Sequence, residues 1–383
     1  MKIAFTAPMK PLDDPVPSGD RTMGRLIVQA LELGGHEVRV ASRFRTWVKE
    51  GGDAAILTRE TEGLSEADRI TREWEAEGYR PDVFLTYHLY HKAPDWIGPA
   101  LADRFNLPYA IIEASRAPKR QTGPWALGFR AADDALARAD VVGALHHADA
   151  ECLGAVLQRD RLKILLPFLD TLPFETAADL VIKHHKAPKL LAAGMMREGD
   201  KTRSYEVLAD ALSRCMDLDW SLTVIGDGPN RAYVESLFPP ERTSFLGALP
   251  PEQMPQHYAA HDLFVWPAIR EAFGFVFLEA QASGLGVVAG STFGVPDIVQ
   301  DGKTGLLAPE GDAEAFAAHL RALIPDPARI EQLGEEAARH IRFRHTLEMG
   351  CARLNAFLET ALDNRWQRST APRRPHQSSG QPL

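Results

Sequence analysis

The stretch Leu263–Gly290, LFVWPAIREAFGFVFLEAQASGLGVVAG, decides how this chain is read. "LFVWP" (263–267) is short and apolar, as a strand buried on both faces is. Gly274 marks a turn, "FVFLEAQAS" (275–283) reads as a helix, and "GVVAG" (286–290) is a second buried strand. A strand, a helix and a strand in succession mean a right-handed crossover and a parallel sheet. Two acids stand out: Glu271 precedes the apolar run and Glu279 lies inside it. A carboxylate is costly to bury unless something pairs with it.

The same alternation extends in both directions. Strands are read at 189–194, 221–226, 243–247, 263–267 and 286–290, and an earlier series at 2–7, 37–42, 82–87, 109–114 and 140–145. The expected architecture is α/β, two doubly wound Rossmann-like domains facing each other across a cleft. The first domain spans 1–166, a proline-containing linker 167–187, the second domain 188–345, and a last helix 346–363. The polar tail 364–383 is expected to be disordered, because it has too little apolar surface to bury.

Bulk properties fit this reading. The chain has 383 residues, 45% hydrophobic and 25% charged, as soluble globular proteins have. A net charge of -9 argues against a general nucleic-acid binder. Cys152, Cys215 and Cys351 are far apart and form no metal or disulfide pattern, so they read as reduced thiols in the cytoplasm. The apolar run at the N-terminus is too short for a signal peptide, and no stretch is long enough to cross a bilayer.

In open parallel sheets, ligands bind beyond the carboxyl ends of the strands. The residues that follow strands are therefore the informative ones. Gly19 lies near the start of the helix after the first strand, where backbone N–H groups favour an anion; the plainer reading is a loop with Asp20 as N-cap. Arg197 and Lys201 follow the strand at 189–194 and could clamp a diphosphate, although either alone is more simply a solvated turn. Gly226 and Gly228 allow close backbone approach or a tight turn. Glu271 is expected to point into the cleft, with Glu279 about two helical turns on and roughly on the same face. A carboxylate suits a vicinal diol, so the pair could hold two sugars of one ligand. The plainer reading makes Glu271 a helix-dipole partner and Glu279 a surface residue.

Residues 188–310 resemble a retaining glycosyltransferase of family 4, with the GT-B fold. The likeness rests on Glu271 and Glu279 with seven residues between them, "FGFVFLEAQASG", "VVAGSTFGVPDIVQDGKTGLL", "VIGDGP" and "AHDLFVWPAIRE". The first half is similar more loosely, through Gly19, "GGHEVRV" and "LPFLDTLPF". The resemblance implies a nucleotide-diphosphate sugar as co-substrate, Glu279 on its ribose and Glu271 on its sugar. It places Phe273, Gly274 and Phe275 beside sugar and phosphates, and Arg197 and Lys201 on the diphosphate. No metal or other cofactor is then required. The sequence departs from the family pattern at Glu113, where a histidine is usual. It also departs at Met195 and Met196, which separate Arg197 from its glycine, at Gly286 in place of a common proline, and at the single Gly19.

Other motifs carry weaker signals. Asp217–Asp219 could be the metal-binding acid pair of a different glycosyltransferase fold, but it reads as a solvated loop. "HHADAE" (146–151) and "HHK" (184–186) offer no complete ligand set. His88 and His91 are better cleft candidates, for acceptor contacts or proton transfer. Arg116, Lys119 and Arg120 follow a first-domain strand and read as a charged loop. The sharper alternative is an anionic acceptor or a lipid headgroup, which would put the protein at the inner face of a membrane. The function expected is transfer of a sugar, with retention, to a glycan, lipid-linked or small-molecule acceptor. The alternatives are a nucleotide-sugar-binding protein without turnover, a sugar-nucleotide epimerase or a phosphorylase.

Overall fold

Apolar runs too short for helices become strands in the computed structural model, which describes residues 1–16, 18–182 and 186–370. The first sheet contains β1 (Lys2–Thr6), β2 (Glu37–Ser42), β3 (Val83–Tyr90), β4 (Tyr109–Ser115), β5 (Val141–Ala144) and β6 (Leu162–Ile164). The second contains β7 (Lys189–Ala193), β8 (Ser221–Ile225), β9 (Thr243–Gly247), β10 (Leu263–Trp266), β11 (Gly286–Ser291) and β12 (Gly305–Pro309). The strand orders are β2-β1-β3-β4-β5-β6 and β12-β11-β10-β7-β8-β9. Neighbouring strands pair in parallel throughout, for example Leu263 with Gly286 and Leu190 with Leu222.

Each order reverses once. In the first sheet the chain winds one way through β1 and β2, then the other way from β3. In the second it reverses between β7 and β10. At such a point the two flanking loops part and leave a crevice. The two reversals therefore single out the loops after β1, β3, β7 and β10.

Each sheet has one more strand than the sequence reading found. β6 (LKI) and β12 (GLLAP) are edge strands with one neighbour each and mixed exposure. Neither presents the continuous apolar run that marks an interior strand. The segment read as linker also carries a helix, Leu172–Asp179. Its Phe174 ring meets Tyr258 edge-on at 5.9 Å, which docks the linker onto the second domain.

The last helix runs Leu347–Thr370, so residues 364–370 are helical where the sequence reading placed a tail. Polar anchors hold this end instead of apolar burial. Asn364 donates to the Asp140 carbonyl at 2.9 Å, and Arg368 pairs with the fully buried Asp140 carboxylate at 3.1 Å. Arg365 donates to Asn106 at 2.6 Å. The helix thus returns to the first domain. The rest of the tail, 371–383, lies outside the described residues, as do His184 and His185.

The two passages of the chain between domains lie side by side. Buried His345 donates from Nδ1 to the Pro167 carbonyl at 2.7 Å, and its own carbonyl accepts from the Leu169 N–H at 2.8 Å. Burial drives the pKa of His345 down to about 3, against about 6.5 in an unfolded chain. The unfolded chain therefore takes up a proton that the native state refuses. Stability from this group is complete above about pH 6.5 and is lost as pH falls through about 3.

Two outcomes follow. Urea unfolding at several pH values should show stability declining from about pH 6.5 downward, and His345→Gln should remove part of that slope; an unchanged slope would assign it to other groups. Arg368→Ala should cost about 1–2 kcal/mol in the same assay, because Asp140 keeps only Arg138 and the Tyr109 N–H.

Candidate active site

Backbone strain marks where the cleft walls are. Among the described residues, six non-glycine residues have positive φ: His88, Asn106, Glu113, Ala268, Arg270 and Phe293. Asn106 is in a turn, where asparagine tolerates this conformation. The other five sit at or just after the carboxyl ends of β3, β4, β10 and β11. Such conformations cost of order 1–3 kcal/mol each and persist only where the surroundings enforce them.

The loop after β10 shows how it is enforced. The Ile269 N–H donates to Ser204 Oγ at 3.0 Å, and the Arg270 N–H to Glu310 Oε1 at 3.1 Å. Glu310 Oε2 also accepts from Thr292 at 3.0 Å, which ties the loops after β10, β11 and β12 together. Gly274 has φ +73, and a Cβ there would lie 2.9 Å from the Phe277 ring. Only glycine fits, and it starts the helix Phe275–Ala282. Ser204 and Glu310 were not singled out in the sequence. Isolated polar residues on a helix and a loop carry no pattern.

The two acids of the opening stretch have different partners. Glu271 forms an ion pair with Lys201, and each side chain is 19% exposed. Lys201 also lies over the Trp266 ring, 5.5 Å from its centroid. Glu279 accepts a hydrogen bond of 2.8 Å from the hydroxyl of fully buried Tyr258. Burial raises the pKa of Glu279, and the Tyr258 bond opposes the rise. The expected common face is therefore not what relates them. Glu271 lies before the helix begins, so helical spacing does not apply to the pair. Phe273 and Phe275 meet edge-on at 5.3 Å beside them.

Arg197 and Lys201 flank the start of the helix Asp200–Ser213, directly after β7. Arg197 is exposed and, among the described residues, has no side-chain ion pair. Lys201 and Arg197 thus lie on one side of the reversal and Glu271 and Glu279 on the other, and Lys201 and Glu271 meet across it. Two cations there suit a diphosphate, and two carboxylates suit hydroxyls.

Gly226 is required by packing within the chain. With φ +144, a Cβ there would lie 1.9 Å from the Gly194 carbonyl oxygen. The loop after β7 fills the space beside it. Gly228 is likewise pressed against the Met196 carbonyl, at 2.3 Å from such a Cβ.

The facing wall comes from the first domain. Gly19 opens the helix Gly19–Leu33, and a Cβ there would lie 3.6 Å from the Phe275 ring of the second domain. Ser18, not Asp20, caps this helix. Asp20 Oδ1 instead accepts from His88 Nδ1 at 3.0 Å, and Glu113 Oε2 lies 3.8 Å from the same nitrogen. Burial works against the charged imidazole, but the Glu113 and Asp20 carboxylates overcome it and hold the His88 pKa up at about 9. Burial raises the pKa of Glu113, with His88 opposing.

Several other candidates turn inward. His91 is buried against Tyr90 and Trp125, and its pKa is lowered to about 4 by burial. It is a neutral packing residue and not a cleft base. Arg116 forks onto Asp133 at 2.9 and 2.8 Å and covers the Phe129 ring. It braces a helix, which removes it from the expected acceptor group; Lys119 remains exposed and Arg120 half-exposed. Asp217 pairs with Arg321 at the surface. His146 caps its helix, and His147 bonds Asp297 of the second domain at 2.7 Å. No sequence signal linked His147 to Asp297, which are 150 residues apart.

Residues 187–326 match the family described as glycosyl transferases group 1. This part of the chain is a group 1 glycosyltransferase domain. The crevice at the β7/β10 reversal lies within it. A sulfoquinovosyl transferase of Arabidopsis thaliana is 38% identical over 138 residues, covering 35% of this chain and 27% of that protein. A D-inositol 3-phosphate glycosyltransferase of Corynebacterium diphtheriae is 37% identical over 142 residues, covering 35% and 33%. The chain thus spans about a third or less of these relatives' lengths. Over nearly its whole length it superposes on sucrose-phosphate synthase from Thermosynechococcus elongatus, with TM-score 0.73, 18% identity, and coverage of 94% and 99%. Anabaena HepE in complex with UDP gives TM-score 0.72, 17% identity, and coverage of 94% and 100%. The two facing parallel-sheet domains are the GT-B fold.

The Lys201–Glu271 pair in the group 1 domain is open to a double-mutant cycle. Lys201→Met and Glu271→Gln should each destabilise, and the double variant should lose less than their sum, by about 0.5–3 kcal/mol. Additive losses would show that the pair contributes nothing.

Proposed function

We propose that the protein moves a sugar from a nucleotide-diphosphate sugar to an acceptor, with retention of anomeric configuration. The observation that carries this reading is the crevice at the β7/β10 reversal, with Arg197 and Lys201 on one side and Glu271 and Glu279 on the other. It lies inside the group 1 domain. The relatives named above are glycosyltransferases, and a solved structure of HepE holds UDP and glucose.

In this reading Glu279, oriented by Tyr258, accepts from the ribose hydroxyls. Glu271 accepts from hydroxyls of the sugar. Lys201 and Arg197 move onto the diphosphate and stabilise its charge as the glycosidic bond breaks, with no metal on the phosphates. Lys201 must leave Glu271 or bridge it to a phosphate oxygen. Occupying the site therefore exchanges an internal ion pair for contacts with the ligand. The acceptor enters from the His88 and Glu113 wall, and Lys119 and Arg120 favour an acceptor with anionic or lipid-linked character at the inner face of a membrane. Among the described residues, no helix is long and apolar enough to cross one. Buried Glu113, in place of the usual histidine, favours one second reading, a protein that binds a nucleotide sugar without turning it over.

Thermal unfolding with UDP, GDP, ADP and their sugar conjugates tests the donor site. A ligand at about 100 times its Kd should stabilise by roughly 2.7 kcal/mol. Glu279→Ala should abolish the shift, whereas Glu271→Ala should mainly slow transfer. No shift with any nucleotide would remove the reading. A shift without turnover on any acceptor would favour the second one. Proton NMR of the product's anomeric centre reads retention directly.

A further inference from the structure

We propose that Asp20, His88 and Glu113 form a binding site for one divalent transition-metal ion on the first-domain wall of the cleft. The three ligand atoms come from three different segments: the start of the helix after β1, the end of β3 and the end of β4. The fold brings them together at the first sheet's reversal, and they all lie within 4.8 Å of one another.

Two of the three spacings suit chelation directly. His88 Nδ1 lies 3.0 Å from Asp20 Oδ1 and 3.8 Å from Glu113 Oε2. Two ligand atoms each about 2.1 Å from one ion subtend angles of about 90° and 130° at those separations. These angles fit a distorted tetrahedral or five-coordinate ion. The donor set, one imidazole and two carboxylates, matches the preferences of Zn²⁺, Co²⁺ and Mn²⁺.

A second observation points to a ligand. Glu113 is 7% exposed, and its Oε2 is buried without a hydrogen-bond partner. This is the atom directed at the His88 nitrogen. In the metal-free protein this oxygen has only the His88 imidazolium, 3.8 Å away, to answer its charge; a divalent ion would replace the Nδ1 proton, released to solvent, with direct bonds to all three atoms. The buried Tyr87 hydroxyl is the neighbour of Glu113 that can steady its carboxylate. Asp20 is the most exposed of the three, with 34% of its side chain accessible. The open coordination positions therefore face the cleft, where a hydroxyl or water can take them. The site is separate from Arg197 and Lys201, so it adds an ion on the acceptor wall and none on the diphosphate. It stands apart from the transfer reading, because the ion alone is the probe.

The experiment uses the full chain, stripped with a chelator and titrated with Zn²⁺ by calorimetry and with Co²⁺ by visible absorption. We expect one ion per chain and a Co²⁺ ligand-field band of the kind given by low coordination number. Asp20→Asn and Glu113→Gln should each weaken binding at least about tenfold, with His88→Gln as the third variant. Circular dichroism of the metal-free variants reports folding; should one fail to fold, the other two and the wild-type Co²⁺ spectrum still decide. Absence of stoichiometric binding to wild type would overturn the proposal, leaving a protonated His88 between its two acids. Binding that survives in the folded variants would overturn it equally, because the ion would then sit elsewhere.

Discussion

The constraint on which this molecule depends is that all its strands run parallel. A parallel strand must return by a crossover, so every loop that follows a strand emerges at the same edge of its sheet. Where the winding reverses, two adjacent loops part, and a ligand can enter between them. This happens once in each sheet, at β1/β3 and at β7/β10. The chemistry-bearing residues lie at these reversals: Asp20 and His88 at the first, Lys201, Arg197 and Glu271 at the second. Position in the winding, more than residue type, separates them from the protein's many other charged groups.

The two walls treat charge differently. On the second-domain wall the ion pair of Lys201 and Glu271 keeps a cation and an anion in place while largely cancelling their fields. A ligand with both phosphates and hydroxyls can answer both. On the first-domain wall Asp20, His88 and Glu113 form a denser cluster, with an oxygen that makes no hydrogen bond at its buried end. The strained backbone at His88 and Glu113 is what aims those side chains together. Both walls are held by residues outside the crevice. Tyr258 orients Glu279, and Glu310 ties the loops after β10, β11 and β12.

Much of this was legible in the residues. Interior strands announce themselves because burial on both faces demands continuous apolar runs; all eight of them did, and the edge strands β2 and β9 did so too. The edge strands LKI and GLLAP did not, since one neighbour and partial exposure leave a weaker pattern. Gly274 was legible as a turn. The packing of Gly226 against Gly194 was not legible, because a glycine pressed against a neighbouring loop looks the same in sequence as one that admits a ligand. The helix end at 364–370 was missed because Asn364, Arg365 and Arg368 anchor it through polar contacts with Asp140 and Asn106, and polar residues near a terminus resemble a tail.

The sequence by itself determined the class of fold, the two series of interior strands, and the loops that follow them. Those properties follow from local apolar patterning and from the geometry of parallel crossovers. Tertiary structure alone decided the pairings: Lys201 with Glu271, Tyr258 with Glu279, Asp20 and Glu113 with His88, and His147 with Asp297. It also turned Arg116 and His91 away from the cleft. These are contacts between residues distant along the chain, and a side chain's partner depends on which backbone the sheet order brings beside it, which no local pattern encodes.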